Sequence, residues 1–209
     1  MAHRVIVYVA EGRHLLAGDV GGSSDPYCEL SLGPTVLRTE TCHGTLNPDW
    51  HEALVFALPL VPCRDGRRLV SRDNMTLTVR IMDSDAYKWD DPLGFTTVDL
   101  ASALGLVPPA AAEAERGSVE DPVELEEGKL WLSWLRLARG GNGVLHLAVF
   151  VPDASLAHSD AVAPPEPQAK RKLAAALSDA LRHHTPVCAC VCECVCVCVC
   201  VCGARVAFL

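Results

Sequence analysis

A chain of 209 residues with a formal net charge of −8 and 50% hydrophobic side chains supports one medium-sized domain with an appendage. The charge is uneven: residues 1–151 carry 21 acidic and 13 basic side chains, and the remaining 58 carry five of each. An acidic folded part excludes nucleic acid as the main partner, because phosphate neutralisation needs a basic face, and it repels anionic lipid until a cation bridges the two surfaces.

The chain runs almost at once into Val5-Ile-Val-Tyr-Val9, which leaves no room for a secretory leader. A cytosolic setting is therefore expected, with Cys28, Cys42 and Cys63 reduced. Apolar alternation then marks strands rather than helices. Candidates are residues 4–10, 26–32, 35–42, 51–58, 75–81, 94–99, 129–137 and 144–151. The clearest is Met75 to Ile81, where Met75, Leu77, Val79 and Ile81 would face a core and Thr76, Thr78 and Arg80 the solvent. Eight short strands with turns between them predict an all-β, antiparallel, eight-stranded β-sandwich. Trp50 and Trp134 are expected in its core. Two long connections, residues 59–73 and 101–128, read as solvated insertions.

Five aspartates sit at the ends of these strands: Asp19 and Asp25, six apart, and Asp83, Asp85 and Asp91, two and six apart. Where two such turns meet at one edge, the carboxylates repel one another and raise each other's pKa values unless a cation joins them. Hard oxygen donors on flexible turns suit Ca²⁺, which takes six to eight such ligands, better than the stricter octahedron of Mg²⁺. The competing reading is that one or two of them merely cap turns, and for Asp90, next to Asp91, that reading is preferred.

Three stretches carry a family resemblance. They are Leu16-Ala-Gly-Asp-Val-Gly-Gly-Ser-Ser-Asp-Pro-Tyr27, Leu46-Asn-Pro-Asp-Trp50, and Met82-Asp-Ser-Asp85 followed by Asp91-Pro-Leu-Gly94. In that order they resemble the C2 domain, the calcium- and phospholipid-binding module first described in protein kinase C, over roughly residues 3–151. The resemblance implies a Greek-key sandwich in which Asp19, Asp25, Asp83, Asp85 and Asp91 hold Ca²⁺ in the first and third loops. One strand before the Asp19 turn and one after Leu137 resemble the family's second circular variant.

The turn between Asp85 and Asp91 holds Tyr87 and Trp89, side chains that favour a membrane interface. They read as insertion residues, against the alternative that one ring folds back to brace the loop. A basic patch after the first loop, the family's phosphoinositide site, is weak: Arg38 stands beside Glu40.

After the domain, taken as residues 1–152, the character changes. Residues 153–169, with Pro164, Pro165 and Pro167, read as a linker. Residues 170–185 place Leu173, Leu177 and Leu181 on one face of a basic amphipathic helix, a pattern that suits an acidic membrane or a partner helix. Residues 186–209 are a low-complexity tail with eight cysteines alternating mostly with valine, which resembles a translated dinucleotide repeat and is expected to be disordered or prone to aggregate. A soft-metal thiolate cluster and an acylated anchor are the other readings of that tail.

No catalytic constellation emerges: no Gly-rich phosphate loop, no nucleophile turn and no zinc-binding helix. The expectation is a binding module and not an enzyme, cytoplasmic until calcium rises and then peripheral on anionic phospholipid membranes. A protein partner is also open, whereas a small-molecule substrate is not expected. The alternatives are a calcium-independent protein-interaction scaffold and a fragment of a larger multi-domain signalling or trafficking protein.

Overall fold

The computed structural model describes residues 2–19, 21–61, 69–85, 89–106 and 122–152, together with the backbone of 187–191 and 197–201. The fold is all-β and antiparallel. Ala2–Arg13 (β1), Asp49–Val61 (β4), Leu130–Arg136 (β9) and Val144–Phe150 (β10) are the long strands of one sheet. Two short strands, Leu69–Val70 (β5) and Val123–Glu124 (β8), extend it, giving the order β8-β5-β4-β1-β10-β9. Pro26–Leu32 (β2), Thr35–Arg38 (β3), Thr76–Asp83 (β6) and Asp91–Asp99 (β7) make the second sheet, in the order β3-β2-β6-β7. The eight long strands coincide with the eight expected from alternation, except that β3 stops at Arg38. Beyond it the chain still follows β2, through Thr39 N–H to Cys28 O and Cys42 N–H to Pro26 O, both 3.0 Å.

Between the sheets lies one apolar core. Val5, Val7 and Val9 from β1 and Phe56 and Leu58 from β4 meet Leu30, Leu32, Leu77, Val79 and Ile81 from the second sheet, all buried. Along β6, Leu77, Val79 and Ile81 are fully inside, as the period-two pattern requires, with Met75 buried at the end of the short 3₁₀ turn before it. One strand precedes the first loop, and β10 lies against β1, so the connectivity agrees with the circular variant expected.

Two expectations need correction. Trp50 is buried, but Trp134 is about half exposed, because it sits on the edge strand β9 and stacks flat on His146 at 4.5 Å. The long connections are not wholly solvated either. Leu69 and Val70 pair back onto β4, and Leu100, Ala101, Leu104, Val123 and Leu125 are buried in the main core, around a single helical turn, Leu100–Ala103 (α1), capped by Asp99. The linker at 153–169 and the amphipathic helix at 170–185 lie outside the described residues. In the Val-Cys run, Val187–Val191 (β11) pairs with Val197–Val201 (β12), with Cys188 opposite Cys200 and Cys190 opposite Cys198.

Candidate metal and membrane site at the loop end of the sandwich

Strand register decides where the aspartates meet. Pro26 of β2 lies opposite Asp83 of β6, and Asp83 lies opposite Asp91 of β7, so the β1–β2 and β6–β7 connections emerge at the same end. The first connection is held by a buried hydroxyl: Ser24 Oγ donates to Leu16 O at 2.9 Å and accepts Gly18 N–H at 2.8 Å. Asp19 turns the tip, with Gly22 N–H donating to Asp19 O at 3.0 Å and Gly22 at φ 78°.

A second turn braces the first. Leu15 N–H donates to Leu46 O, His14 N–H to Asn47 Oδ1, Gly12 N–H to Pro48 O and Trp50 Nε1–H to Pro26 O, at 2.9 to 3.3 Å. The Leu46–Trp50 motif is thus a scaffold for the loop and not a ligand set.

Asp83 is the centre. It is fully buried, and its Oδ1 accepts Asp25 N–H at 2.6 Å. Oδ2 has no hydrogen-bond partner and faces Gly18, where an added Cβ would overlap it. Burial pushes the Asp83 carboxyl up, and the nearby charges of Asp19 and Asp85 push it further, against the relief given by Asp25 N–H and, to a smaller extent, by the nearby Ser24 hydroxyl. A buried carboxylate with an unbonded oxygen, repelled by two neighbours, is chemistry suited to a hard cation.

Asp25 is directed elsewhere. Its Oδ2 lies 3.0 Å from His43 Nδ1 and its Oδ1 accepts Gly44 N–H at 2.7 Å, bonds that hold its carboxyl below the ordinary value, His43 most of all. Among the described residues no group of three or more His, Cys, Asp and Glu side chains is gathered closely enough to hold a metal ion. The donor types suit calcium, but the described side chains are not gathered around one point, and the Asp25 side chain points toward the 43–44 turn.

Asp90 braces the third loop: Oδ2 accepts Tyr27 O–H at 2.7 Å and Oδ1 accepts Asp85 N–H at 3.1 Å. Tyr27 is consequently pushed up to about 12, by burial first and then by Asp90. Trp89, one residue earlier, is 94% exposed. Tyr87 lies outside the described residues. Arg38 is tied to Glu29 at 2.8 Å and lies over the Tyr27 ring, so the weak basic patch holds no free cation there. Gly18, Ser24 and Tyr27 lie within the Leu16–Tyr27 stretch, whereas His43 gives no sequence signal of its own, since it acts on Asp25, 18 residues away.

A sequence model of the C2 domain family matches residues 3–115. Over 96 residues the chain is 36% identical to Multiple C2 and transmembrane domain-containing protein 2 of Mus musculus, covering 46% of this chain and 10% of that protein. Over 94 residues it is 35% identical to Protein C2-DOMAIN ABA-RELATED 3 of Arabidopsis thaliana, covering 45% and 48%. The chain thus spans half or less of these relatives. Human GIVD cytosolic phospholipase A2 shares the fold, with a TM-score of 0.50 at 21% identity over 74% of this chain and 17% of that one.

Proposed function

The chain belongs to the C2 domain family, and from that premise we propose that residues 1–152 are a calcium-regulated module that docks on anionic phospholipid membranes. The observation that carries this reading is the Asp83 carboxylate, buried, half-bonded and repelled by Asp19 and Asp85, at the start of the connection that also carries an almost fully exposed Trp89. Asp19, Asp25, Asp83, Asp85 and Asp91 would hold the ions, Asp25 after turning away from His43. When bound, calcium supplies positive charge between the loops and open positions for lipid phosphate oxygens. Without it, the acidic loops keep the domain off an anionic surface. With their charge cancelled, Trp89 and Tyr87 enter the interface. The domain binds and does not catalyse. No helix among the described residues is long and apolar enough to cross a membrane, so attachment is peripheral on this reading.

The bonds from His43 and Gly44 to Asp25 favour a second reading, a calcium-independent interaction scaffold. Sedimentation of the full chain with phosphatidylserine vesicles separates the two. The first predicts binding in micromolar calcium that is lost in chelator and in Asp83→Asn/Asp85→Asn, a range usual for sensor sites. Sedimentation that is as strong in excess chelator as in calcium, and the same for wild type and double variant, would establish the second.

A further inference from the structure

Most cations of the described sandwich are already committed to partners. Arg13 is tied to Glu11 and Asp49, Arg38 and Arg80 to Glu29, Arg72 to Asp99 and Lys129 to Glu126, and Arg4 is engaged as well. Arg136 and Arg139 differ: both are exposed, and neither has an ion-pair partner among the described residues. They lie together, at the end of β9 and in its turn to β10.

Register fixes where that turn stands. Val144, the first residue of β10, lies opposite Arg136 of β9 on one side and opposite Arg13, the last residue of β1, on the other. The β9–β10 turn therefore leaves the sandwich at the end where the first loop begins. The two approach closely, since a Cβ at Gly141 would lie 3.0 Å from Leu16 Cδ2 and one at Gly143 3.4 Å from His14 O. Leu16 is itself 40% exposed.

The turn is fixed on both sides of its tip. Ala138 exchanges two backbone hydrogen bonds with Phe95 of β7, at 2.7 and 3.1 Å. Leu137 N–H donates to Gly143 O at 3.0 Å, and Gly143 N–H to Gly140 O at 2.9 Å. Gly140 is packed so tightly that a Cβ there would lie 2.7 Å from Leu137 Cβ and 3.0 Å from Leu93 O. Between these fixed points Arg139 takes φ 57°, a left-handed conformation that glycine or asparagine adopts at lower cost. A long cation held in a strained, exposed position beside the first loop is placed to meet a ligand rather than to support the fold.

We propose that the β9–β10 turn is a further membrane contact, in which Arg136 and Arg139 bind headgroup phosphates of anionic phospholipid. This contact rests on the calcium-dependent docking proposed above and adds to it a cationic element that is not a calcium ligand. Docking by the loop end carries the turn to the phosphate level of the bilayer, where a guanidinium forms two parallel hydrogen bonds to one phosphate. Two cations do not offset the acidic loops, so the turn adds affinity only after calcium has cancelled their charge.

Sedimentation of the full chain with mixed phosphatidylserine–phosphatidylcholine vesicles in saturating calcium tests this. Arg136→Gln and Arg139→Gln should each weaken vesicle binding about fivefold, and together about twenty-five-fold, the usual effect of a cation near an anionic surface. Calcium affinity without lipid should not change. Arg139→Lys should keep most of the wild-type binding. Arg139→Gly relieves the backbone, so it should lose as much lipid affinity as Arg139→Gln with no fall in melting temperature. Lys129→Gln removes the same charge at the opposite end of β9, beyond the screening length of about 8 Å at physiological salt, and should bind as the wild type does. If calcium drives the wild type and the double arginine variant onto vesicles equally, this proposal falls and the docking reading stands. Equal losses in Lys129→Gln and Arg139→Gln would also overturn it, as an effect of net charge alone. A wild type that ignores these vesicles in calcium would overturn both.

Discussion

The backbone N–H of Asp25 donates to Asp83 Oδ1 at 2.6 Å, so a buried carboxylate from the third loop fixes the path of the first. The same group therefore serves structure through one oxygen and leaves the other without a hydrogen bond. This division of labour makes its charge separable from its hydrogen bond.

Asp83→Asn should raise the melting temperature in chelator and shrink the calcium-induced rise. Because the folded-state pKa of Asp83 is raised, its favourable contribution exists while it is protonated, below the ordinary carboxylate value, and is lost as pH rises through the raised value. At neutral pH the anion works against the fold. Asparagine can keep an oxygen on Asp25 N–H without that charge. For the wild type, ligand binding adds RT ln(1 + [L]/Kd), about 2.7 kcal/mol at a hundredfold excess over Kd. Calorimetry with and without millimolar calcium reads both effects. A lower melting temperature for Asp83→Asn in chelator would mean that the carboxylate is not repelled.

Gly18→Ala tests the same carboxylate sterically. A Cβ at Gly18 would overlap Asp83 Oδ2, whereas one at Gly21, in the same loop, meets nothing within 4 Å. Overpacking of this kind costs about 1–3 kcal/mol. Gly18→Ala should lose that much in urea unfolding and weaken calcium binding, and Gly21→Ala should do neither.

Much of this was legible in the sequence, and the failures have physical causes. Alternation located β6 because one of its faces is wet. The run Val5-Ile-Val-Tyr-Val-Ala10 lacks alternation because both of its faces are buried, which is itself the signature of a covered sheet. Trp134 misled because an aromatic on an edge strand can stack on a neighbour, His146, instead of entering the core. The aspartate spacing pointed to one end of the sandwich, but no pattern could show His43 taking hold of Asp25, since that contact depends on how a turn 18 residues away folds.

Tyr27→Phe should loosen the third loop. The Tyr27 hydroxyl gives Asp90 its hydrogen bond, and Asp90 in turn takes Asp85 N–H. Loss of one such bond costs about 1 kcal/mol. The pH dependence has a definite sign. The phenol is pushed up to about 12, so its contribution is full below about 10 and fades as pH rises toward 12. Stability measured between those values should fall less steeply in Tyr27→Phe than in the wild type. Identical slopes would show that the hydroxyl is not held by Asp90.

Trp89→Ala separates membrane contact from calcium binding. At 94% exposure the ring contributes little packing, so its removal should leave the stability within about 0.5 kcal/mol of the wild type, as for a surface change of this kind. If the ring enters the interface, vesicle affinity in calcium should fall roughly tenfold, equivalent to about 1.4 kcal/mol, while calcium affinity without lipid stays the same because no indole atom is a ligand. Tyr87→Ala should act in the same direction. Trp50 is buried, Trp131 packs against the main core and Trp134 is stacked on His146, so the blue shift of indole fluorescence on docking should vanish in Trp89→Ala. A blue shift that persists in Trp89→Ala, with vesicle affinity unchanged, would place the lipid contact on another surface of the domain.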